Sequence, residues 1–195
     1  LNFTYLDTGA MYRAITVAAL DKGIDLTDEA ALITMAEKAE IEIISQKDGA
    51  LKVILNGSDV TRKIREVEVT KNVSFIAKVP RLRAIMVERQ REFSKNHNIV
   101  VEGRDIGTVV FPYAEKKFYL DADFKERSKR RIKELVESNV PIDESEIEKD
   151  LEQRDNLDLT RSVAPLKKAE DAIYIDTTFL TIEQVVNKVL SFCQG

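Results

Sequence analysis

Polar turns that contain glycine follow several short apolar runs of this 195-residue chain. Residues 7–9 (DTG) follow one such run, and residues 102–107 (EGRDIG) follow another. Ligands of α/β proteins bind beyond the carboxyl ends of the strands, where turns of this kind lie. The second turn holds Arg104 beside Asp105. A random Arg–Asp pair is usually a local salt bridge. This pair follows an apolar run and lies between two glycines, which favours a role in binding.

Arginine is concentrated near the predicted loops and helix ends. A planar guanidinium binds phosphate through two parallel hydrogen bonds, so several arginines that meet in one cleft indicate a phosphorylated ligand. Each arginine taken singly is typical of a solvated helix face, and this interpretation is strongest for Arg81. The candidates are Arg13, Arg81, Arg83, Arg130, Arg131, Arg154 and Arg161.

A strongly basic stretch covers residues 125–133, which hold six basic side chains and one acidic one. Arg127, Arg130 and Arg131 share one face of the predicted helix because they are three and four residues apart. Two interpretations stay open for this segment. It is either a solvated basic helix or a lid that covers phosphate groups, with the break at residues 139–141 (NVP) as its hinge.

Composition excludes several other classes of protein. Lys and Arg number 30 against 34 Asp and Glu, and this net charge of −4 argues against a general nucleic-acid binder. One histidine and one cysteine cannot form a multi-histidine or cysteine-cluster metal site, so no metal ligands are expected. A Ser-His-Asp triad would depend on His97, which lies in a polar stretch and is expected at the surface. No apolar run reaches the roughly 20 residues of a membrane helix, and we expect a cytoplasmic protein.

Periodicity predicts an α/β domain in which helices alternate with strands. Helices are predicted at 10–22, 27–39 with Thr27 as the N-cap, 65–78, 80–95, 124–137, 144–155 and 182–192. Three of them begin with the spacing of a capping box, at Asp123, Asp143 and Thr181.

The predicted strands fall into two groups. An antiparallel meander is predicted at 41–45, 51–55 and 59–61, with turns at the Asp-Gly pair 48–49 and the Asn-Gly pair 56–57. Residues 99–101, 117–120 and 172–175 are short apolar runs, which predict buried parallel strands of one sheet.

Several motifs resemble those of the bacterial cytidylate kinases (CMP kinases). They are YLDTGAMYRA at 5–14, PRLRA at 80–84, VEGRDIGTVVFP at 101–112 and QRDNLDLTRSVAPL at 153–166. Their order and spacing also match, so the resemblance covers essentially the whole chain. It implies a P-loop kinase-like α/β fold: a parallel sheet flanked by helices, an antiparallel β insert that binds the nucleoside monophosphate, and a short helical lid. The core would comprise 1–39 and 75–195, with the lid at about 124–155 and the insert at 40–74.

The resemblance also implies roles for the residues at matching positions. Thr8, which replaces the serine of many relatives and keeps its hydroxyl, would face the cytosine. The cytosine contacts would be Thr8, Arg83 and Asp105, the ribose contacts Ser74, Arg154 and Asp158, and the phosphate contacts Arg13, Arg104 and Arg161. The catalytic residues would be Arg104, Arg130, Arg131 and Arg161, of which Arg130 and Arg131 would approach the transferring phosphoryl group from the lid.

The implied reaction transfers a phosphoryl group from ATP to CMP or dCMP, giving CDP or dCDP, with Mg²⁺ as the cofactor. A carboxylate at position 105 would accept a hydrogen bond from the N4 amine of cytosine, which uracil lacks. The partners would be the small nucleotides CMP, dCMP and ATP, with no nucleic-acid polymer and no membrane, and we expect a monomer.

The family's ATP-binding P-loop, of the form G-x-x-x-x-G-K-[ST], does not occur in the 195 residues. We expect a strand–loop–helix unit of about 25 residues to precede Leu1. In its absence we expect a gap between the strands that flank it. The alternative is a non-catalytic nucleotide-binding module, because only the CMP half of the motifs is present. A kinase for another small phosphoryl acceptor is a third possibility, which the length of the matched motifs disfavours.

Overall fold

A computed structural model describes residues 3–45, 50–95, 98–137 and 142–193. His97, the predicted 48–49 turn and the 139–141 break lie outside these residues. The strands are β1 Thr4–Asp7, β2 Ile41–Ser45, β3 Leu51–Leu55, β4 Ser58–Asp59, β5 Ile99–Glu102, β6 Phe118–Asp121 and β7 Ile173–Asp176. The helices are α1 Thr8–Asp21, α2 Glu29–Lys38, α3 Val67–Ala77, α4 Pro80–Ser94, α5 Phe124–Glu137, α6 Glu144–Thr160 and α7 Ile182–Cys193.

Helix α1 forms the centre of the hydrophobic core. It starts directly after β1, where the Asp7 carboxylate accepts a hydrogen bond from the Ala10 amide at 2.9 Å. Ten of its fourteen residues are buried, among them Ile15 and Val17, and they pack with apolar residues of α2, β3, α3 and α4. Gly23 follows the helix with a φ of +61°, a conformation that favours glycine at a helix end. The polar turn at residues 7–9 is therefore fixed at the start of a buried helix.

The parallel strands form two separate pairs, β1 with β5 and β6 with β7. The prediction that 99–101, 117–120 and 172–175 belong to one hydrogen-bonded sheet is wrong for the described residues, although the strands themselves are confirmed. Within the described residues, each of the four strands has a ladder partner on one side only. The gap expected between the flanking strands stays a prediction.

The prediction that these strands are buried is confirmed at Ile175, which is 0% exposed, but not along their whole length. Burial alternates along them, and Val100, Leu120 and Tyr174 are each about half exposed. Successive side chains of a strand point to opposite faces of the sheet. One face of these strands packs inward, and the described residues cover the other face only in part. The mixed α/β architecture, with parallel strands flanked by helices, is nevertheless consistent with a P-loop kinase fold.

The meander is confirmed as an antiparallel sheet in the order β2–β3–β4, outside the parallel pairs. The Asn56-Gly57 turn has the two positive φ angles that such a hairpin needs, 49° and 79°. β4 ends at Asp59 rather than at residue 61, because the Asp59 carboxylate accepts the Thr61 amide in a tight local turn. The Thr61 hydroxyl then accepts the Val53 amide at 2.9 Å, which fixes the end of the meander.

Side chains that accept hydrogen bonds from first-turn amides cap the starts of several helices. Asp123, Asp143 and Thr181 cap α5, α6 and α7 as predicted. The prediction of Thr27 as a cap is wrong: Asp28 accepts the Ala31 amide at 3.0 Å, while the Thr27 hydroxyl binds Asp25.

Helix α6 runs to Thr160, five residues beyond its predicted end, so that Asp158 lies within the helix, as Arg154 does, rather than after it. No helix of the described ranges is long and apolar enough to cross a membrane.

Candidate functional site

A buried ion pair lies at the start of the segment that follows β5. Arg83 and Asp105 are 3% and 6% exposed, and Nη2 of Arg83 donates a hydrogen bond to the Asp105 carboxylate. Nη1 of Arg83 donates to the Ala77 carbonyl at 3.0 Å, and the guanidinium lies 5.6 Å from the centre of the Tyr12 ring. Burial raises the pKa of Tyr12 to about 12, so this phenol is neutral at physiological pH. The arrangement holds the Asp105 carboxylate in a fixed and buried position.

Arg161 joins this pair to a second carboxylate. Its Nη2 lies 3.8 Å from Oδ1 of Asp105, and its Nη1 lies 3.4 Å from Oδ1 of Asp158. Its Nε donates to the Ala164 carbonyl at 2.6 Å, in a turn where Ala164 has a positive φ of 51°. Burial, followed by the nearby Arg83, lowers the pKa of Arg161.

Two buried guanidinium nitrogens of this group, Nε of Arg83 and Nη2 of Arg161, have no hydrogen-bond partner in the described part of the chain. Buried donors of this kind are costly to leave unpaired, and a ligand with acceptor oxygens would satisfy them.

Asp158 links Arg104 to the same group, since it accepts a hydrogen bond from Nε of Arg104 at 2.9 Å. Helix α6 presents Arg154 one turn earlier on the same side, because the two residues are four apart. Arg154 makes no hydrogen bond and no ion pair within 4.0 Å to any described residue. Burial, and then the charge of Arg104, lower its pKa. An arginine with cations as neighbours and no close acid partner is suited to bind an anion.

Arg13 extends the positive region on α1. Its Nη1 donates to the Thr70 hydroxyl at 2.7 Å and lies 3.3 Å from the Ile64 carbonyl. Burial lowers its pKa to about 10, and the charges of Arg154 and Arg131 add to the effect. The guanidinium therefore stays charged at neutral pH, although its surroundings disfavour that charge. We define the arginine cluster as Arg13, Arg104, Arg131, Arg154 and Arg161.

The two arginines expected in a lid differ in their surroundings. Arg131 forms an ion pair with Glu134 at 2.7 Å. Its positive charge also helps to lower the pKa values of Arg13 and Arg154. Arg130 is held at the end of β7, where it donates to the carbonyl and the hydroxyl of Thr177 at 2.6 and 3.1 Å. The structure thus brings Arg131 into the arginine cluster and directs Arg130 to the neighbouring strand end.

The remaining predicted contacts are Thr8 and Ser74. Thr8 is buried, and its hydroxyl donates to the Glu102 carbonyl at 2.7 Å, so it joins the ends of β1 and β5. Ser74 is half-buried on α3, one helical turn after the Thr70 that binds Arg13. Sequence reasoning did not single out Thr70, and its only signal is the four-residue spacing from Ser74.

Gly103 lies where β5 approaches Thr8 most closely. A Cβ atom at residue 103 would stand 2.3 Å from the Thr8 hydroxyl oxygen and 2.8 Å from Cδ1 of Ile106. We expect Gly103→Ala to lower the free energy of unfolding by about 1–3 kcal/mol, as overpacking of a filled site does. Urea unfolding measures the change.

Gly107→Ala is the matched control, because its Cβ would meet only the Lys117 side chain at 3.2 Å and the Ala169 Cβ at 3.5 Å. The Lys117 stem is able to shift by a few tenths of an ångström, so we expect a loss below about 1 kcal/mol. Equal losses in the two variants would contradict the close approach at Gly103.

No group of three or more Asp, Glu, His or Cys side chains within the described ranges is placed to hold a metal ion.

The parallel strand pairs flanked by helices and the separate antiparallel three-stranded sheet define a mixed α/β protein, consistent with a P-loop kinase fold. The family model described as cytidylate kinase matches residues 1–194. The chain is 50% identical over 190 residues to a cytidylate kinase of Geobacillus sp. (strain WCH70), covering 97% of this chain and 84% of that protein. It is 47% identical over 189 residues to that of Bacillus subtilis (strain 168), covering 97% and 84%. For Desulforamulus reducens the identity is 45% over 194 residues, covering 100% and 86%. The chain belongs to the cytidylate kinase family.

Proposed function

We propose that this protein transfers a phosphoryl group from ATP to CMP and dCMP, giving CDP and dCDP. The observation that carries the proposal is the arginine cluster beside the buried Arg83–Asp105 pair. The cluster offers several cations to a phosphate, while the pair offers one fixed carboxylate to a base. The cytidylate kinase names of the family model and of the relatives support the same activity.

In this proposal the Arg83–Asp105 pair and Thr8 form the cytosine end of the site. An ionised carboxylate accepts hydrogen bonds but donates none, so Asp105 suits the N4 amine of cytosine and opposes the O4 oxygen of uracil. The Arg83 guanidinium still has an unused Nε–H, which would donate to the acceptor edge of the base. Ser74, Arg154 and Asp158 would hold the ribose between the two ends.

Arg13, Arg104 and Arg161 would bind the phosphate of CMP. Burial lowers the pKa of Arg13 and of Arg161, and like charges add to the effect, from Arg154 and Arg131 at Arg13 and from Arg83 at Arg161. A phosphate group would relieve this repulsion between cations. Charge-assisted bonds from guanidinium to phosphate are among the strongest hydrogen bonds in proteins. A phosphate oxygen of CMP then attacks the γ-phosphorus of ATP in line, while the bond from that phosphorus to the bridging oxygen breaks and ADP leaves.

Phosphoryl transfer depends on positioning and on neutralising the charge that meets at the reacting centre. Arg104 and Arg161, together with Arg130 and Arg131 of α5, would supply that positive charge. Mg²⁺ would neutralise the donor phosphates when it is bound with ATP, and we assign no residue of this chain to hold it. These roles stay predictions, as do a cytoplasmic location and a monomeric state.

We propose that 40–74 is the monophosphate-binding insert and that 1–39 and 75–195 form the core, with the lid at about 124–155. An ion pair joins the end of the insert to the lid region: Nζ of Lys71 on α3 lies 2.7 Å from the Glu146 carboxylate on α6. Both side chains are about half exposed, so the pair contributes at most about 1 kcal/mol. It is a contact between the proposed insert and the proposed lid region.

A turnover assay tests the proposed reaction. The full-length gene product, with any residues encoded before Leu1, and the 195-residue chain are each incubated with ATP, Mg²⁺ and CMP, dCMP, UMP or AMP. We expect the full-length product to form CDP and dCDP in preference to UDP and ADP. CMP binding without turnover in both proteins would favour the non-catalytic binding module instead.

CMP is also expected to stabilise the fold. A ligand that binds only the folded state at 100 times its Kd adds about 2.7 kcal/mol, which raises the Tm of a chain of this size by about 5–11 °C. Differential scanning calorimetry measures the shift, with cytidine at the same concentration as the control. Because cytidine has no phosphate for the arginine cluster, an equal shift with cytidine would contradict phosphate binding there.

A further inference from the structure

The segment that carries Asp105 is a single π-helical turn, Ile106–Val110. The Asp105 carbonyl accepts hydrogen bonds from the Val109 amide at 2.8 Å and the Val110 amide at 3.3 Å, and the Phe111 amide donates to Ile106 at 2.7 Å. π-Helical turns are rare, and they occur frequently at functional sites. Because Asp105 immediately precedes this turn, the conformation of the turn sets the direction of the Asp105 side chain.

Helix α4 contacts both ends of the π turn. Arg83, near the start of α4, binds the Asp105 carboxylate, and Arg91 reaches the other end from eight residues further along the helix. Nε of Arg91 donates to the Val110 carbonyl at 2.8 Å, and its Nη2 donates to the Val109 carbonyl at 2.7 Å. The last carbonyls of a helical turn have no partner within it, so the guanidinium fork satisfies groups that the turn leaves open.

A second side chain, that of Lys117, also contacts the π turn. The stem of Lys117 packs against Gly107, and its Nζ contacts the Pro112 carbonyl and the Asp171 carboxylate. Lys117 thus holds the middle of the turn and the loop after it. Arg91 is the only side chain for which the described residues show hydrogen bonds to the Val109 and Val110 carbonyls.

We infer that Arg91 is a positioning residue that fixes the π turn and thereby the selection of cytosine over uracil by Asp105. The inference rests on the proposed function, since it assigns Asp105 to the base. Two rigid attachments on one helix, about 12 Å apart along its axis, hold the turn between them. When the far attachment is lost, the turn relaxes and Asp105 loses its alignment with the N4 amine. CMP then loses its hydrogen bond from the N4 amine to Asp105, whereas UMP loses only the repulsion between its O4 oxygen and Asp105.

Arg91→Gln tests the inference, because a glutamine amide is too short and too weak a donor to replace both guanidinium bonds. The matched control is Arg89→Gln on the same helix. Arg89 also donates to the last carbonyls of a helix, at 2.8 Å to Ala36 and 3.2 Å to Glu37, but that helix is α2, away from the π turn. Both variants lose charge-assisted bonds to backbone carbonyls, so stability alone does not separate them.

Calorimetric titration with CMP and with UMP measures the preference in the wild type and in each variant. We expect Arg91→Gln to reduce the ratio of the UMP and CMP dissociation constants by about 5- to 30-fold, as the loss of one discriminating contact does. Arg89→Gln should leave the ratio within about twofold, which corresponds to about 0.4 kcal/mol, because Arg89 does not contact the π turn. Arg91→Lys should fall between the wild type and Arg91→Gln, because an ammonium still binds one carbonyl.

An unchanged ratio in Arg91→Gln, or the same reduction in Arg89→Gln, would overturn the inference. If Arg91→Gln does not fold, Arg91→Lys and Arg89→Gln decide in the same way. The titration measures binding and does not require turnover. A negative result for Arg91 is therefore distinguishable from a failure of the proposed reaction. A wild type that binds CMP selectively without phosphorylating it would contradict the kinase activity and leave the role of Arg91 standing.

Discussion

Replacement of Arg161 by methionine is expected to lower kcat/KM for CMP by about 30- to 1000-fold, because truncation of a desolvated charge pair costs about 2–5 kcal/mol. Arg161 is buried between Asp105 and Asp158, and its Nη2 has no hydrogen-bond partner in the described residues. We expect the CMP phosphate to take up that donor. Methionine keeps much of the side-chain volume and removes the charge, so the change tests electrostatics rather than packing. Initial rates with ATP and varied CMP measure it in the full-length protein.

Two comparisons distinguish a phosphate contact from a general effect on folding. Cytidine has no phosphate, so its binding should fall far less than that of CMP in Arg161→Met. Arg81→Met is the matched control, because Arg81 is an exposed arginine whose nearest acid, Glu37, lies 3.6 Å away on the protein surface. Equal losses of cytidine and CMP binding in Arg161→Met would show that Arg161 acts on the fold or on the base.

The second large effect is expected on selectivity. Asp105→Asn should reduce the preference for CMP over UMP by about 5- to 150-fold, since a discriminating polar contact is worth about 1–3 kcal/mol. Asparagine is nearly the same size, but its amide is able to turn and donate to the O4 oxygen of uracil. The measurement is kcat/KM for CMP and UMP in wild-type protein and in the variant.

The alternative role of Asp105 is structural, because it is also the buried partner of Arg83 and lies 3.8 Å from Arg161. If holding these arginines were its only role, both substrates would lose activity alike. A CMP-to-UMP ratio unchanged within about threefold, well below the expected energy difference, would remove Asp105 from base selection. Asp158→Asn is the matched control, since Asp158 also binds Arg161 and is assigned to the ribose.

Local signals in the sequence were sufficient for most of the secondary structure. β2 and β3 begin and end where the alternation predicts, and Pro80 starts α4 as its fixed φ favours. The error at Thr27 arose because two adjacent residues are both able to cap a helix. Only the structure shows that Asp25 occupies the Thr27 hydroxyl, which leaves Asp28 as the cap.

The tertiary arrangement of the candidate site was less accessible to sequence reasoning. The resemblance named Arg104, Arg161 and Asp158, but no local pattern shows that one carboxylate serves both arginines. The Ile106–Val110 π turn, whose last carbonyls accept hydrogen bonds from Arg91 on helix α4, was not predicted from the sequence. Long-range contacts of this kind are set by packing, and spacing along the chain does not encode them.

The crystal structure of the protein with bound CMP tests the central claim most directly. We expect the phosphate oxygens within hydrogen-bond distance of the guanidiniums of Arg13, Arg104 and Arg161, and the N4 amine of the base on the Asp105 carboxylate. The buried nitrogens of Arg83 and Arg161 that have no partner among the described residues would then be hydrogen-bonded to the ligand. CMP bound outside the arginine cluster, or bound with its base among the arginines and its phosphate away from them, would contradict the account.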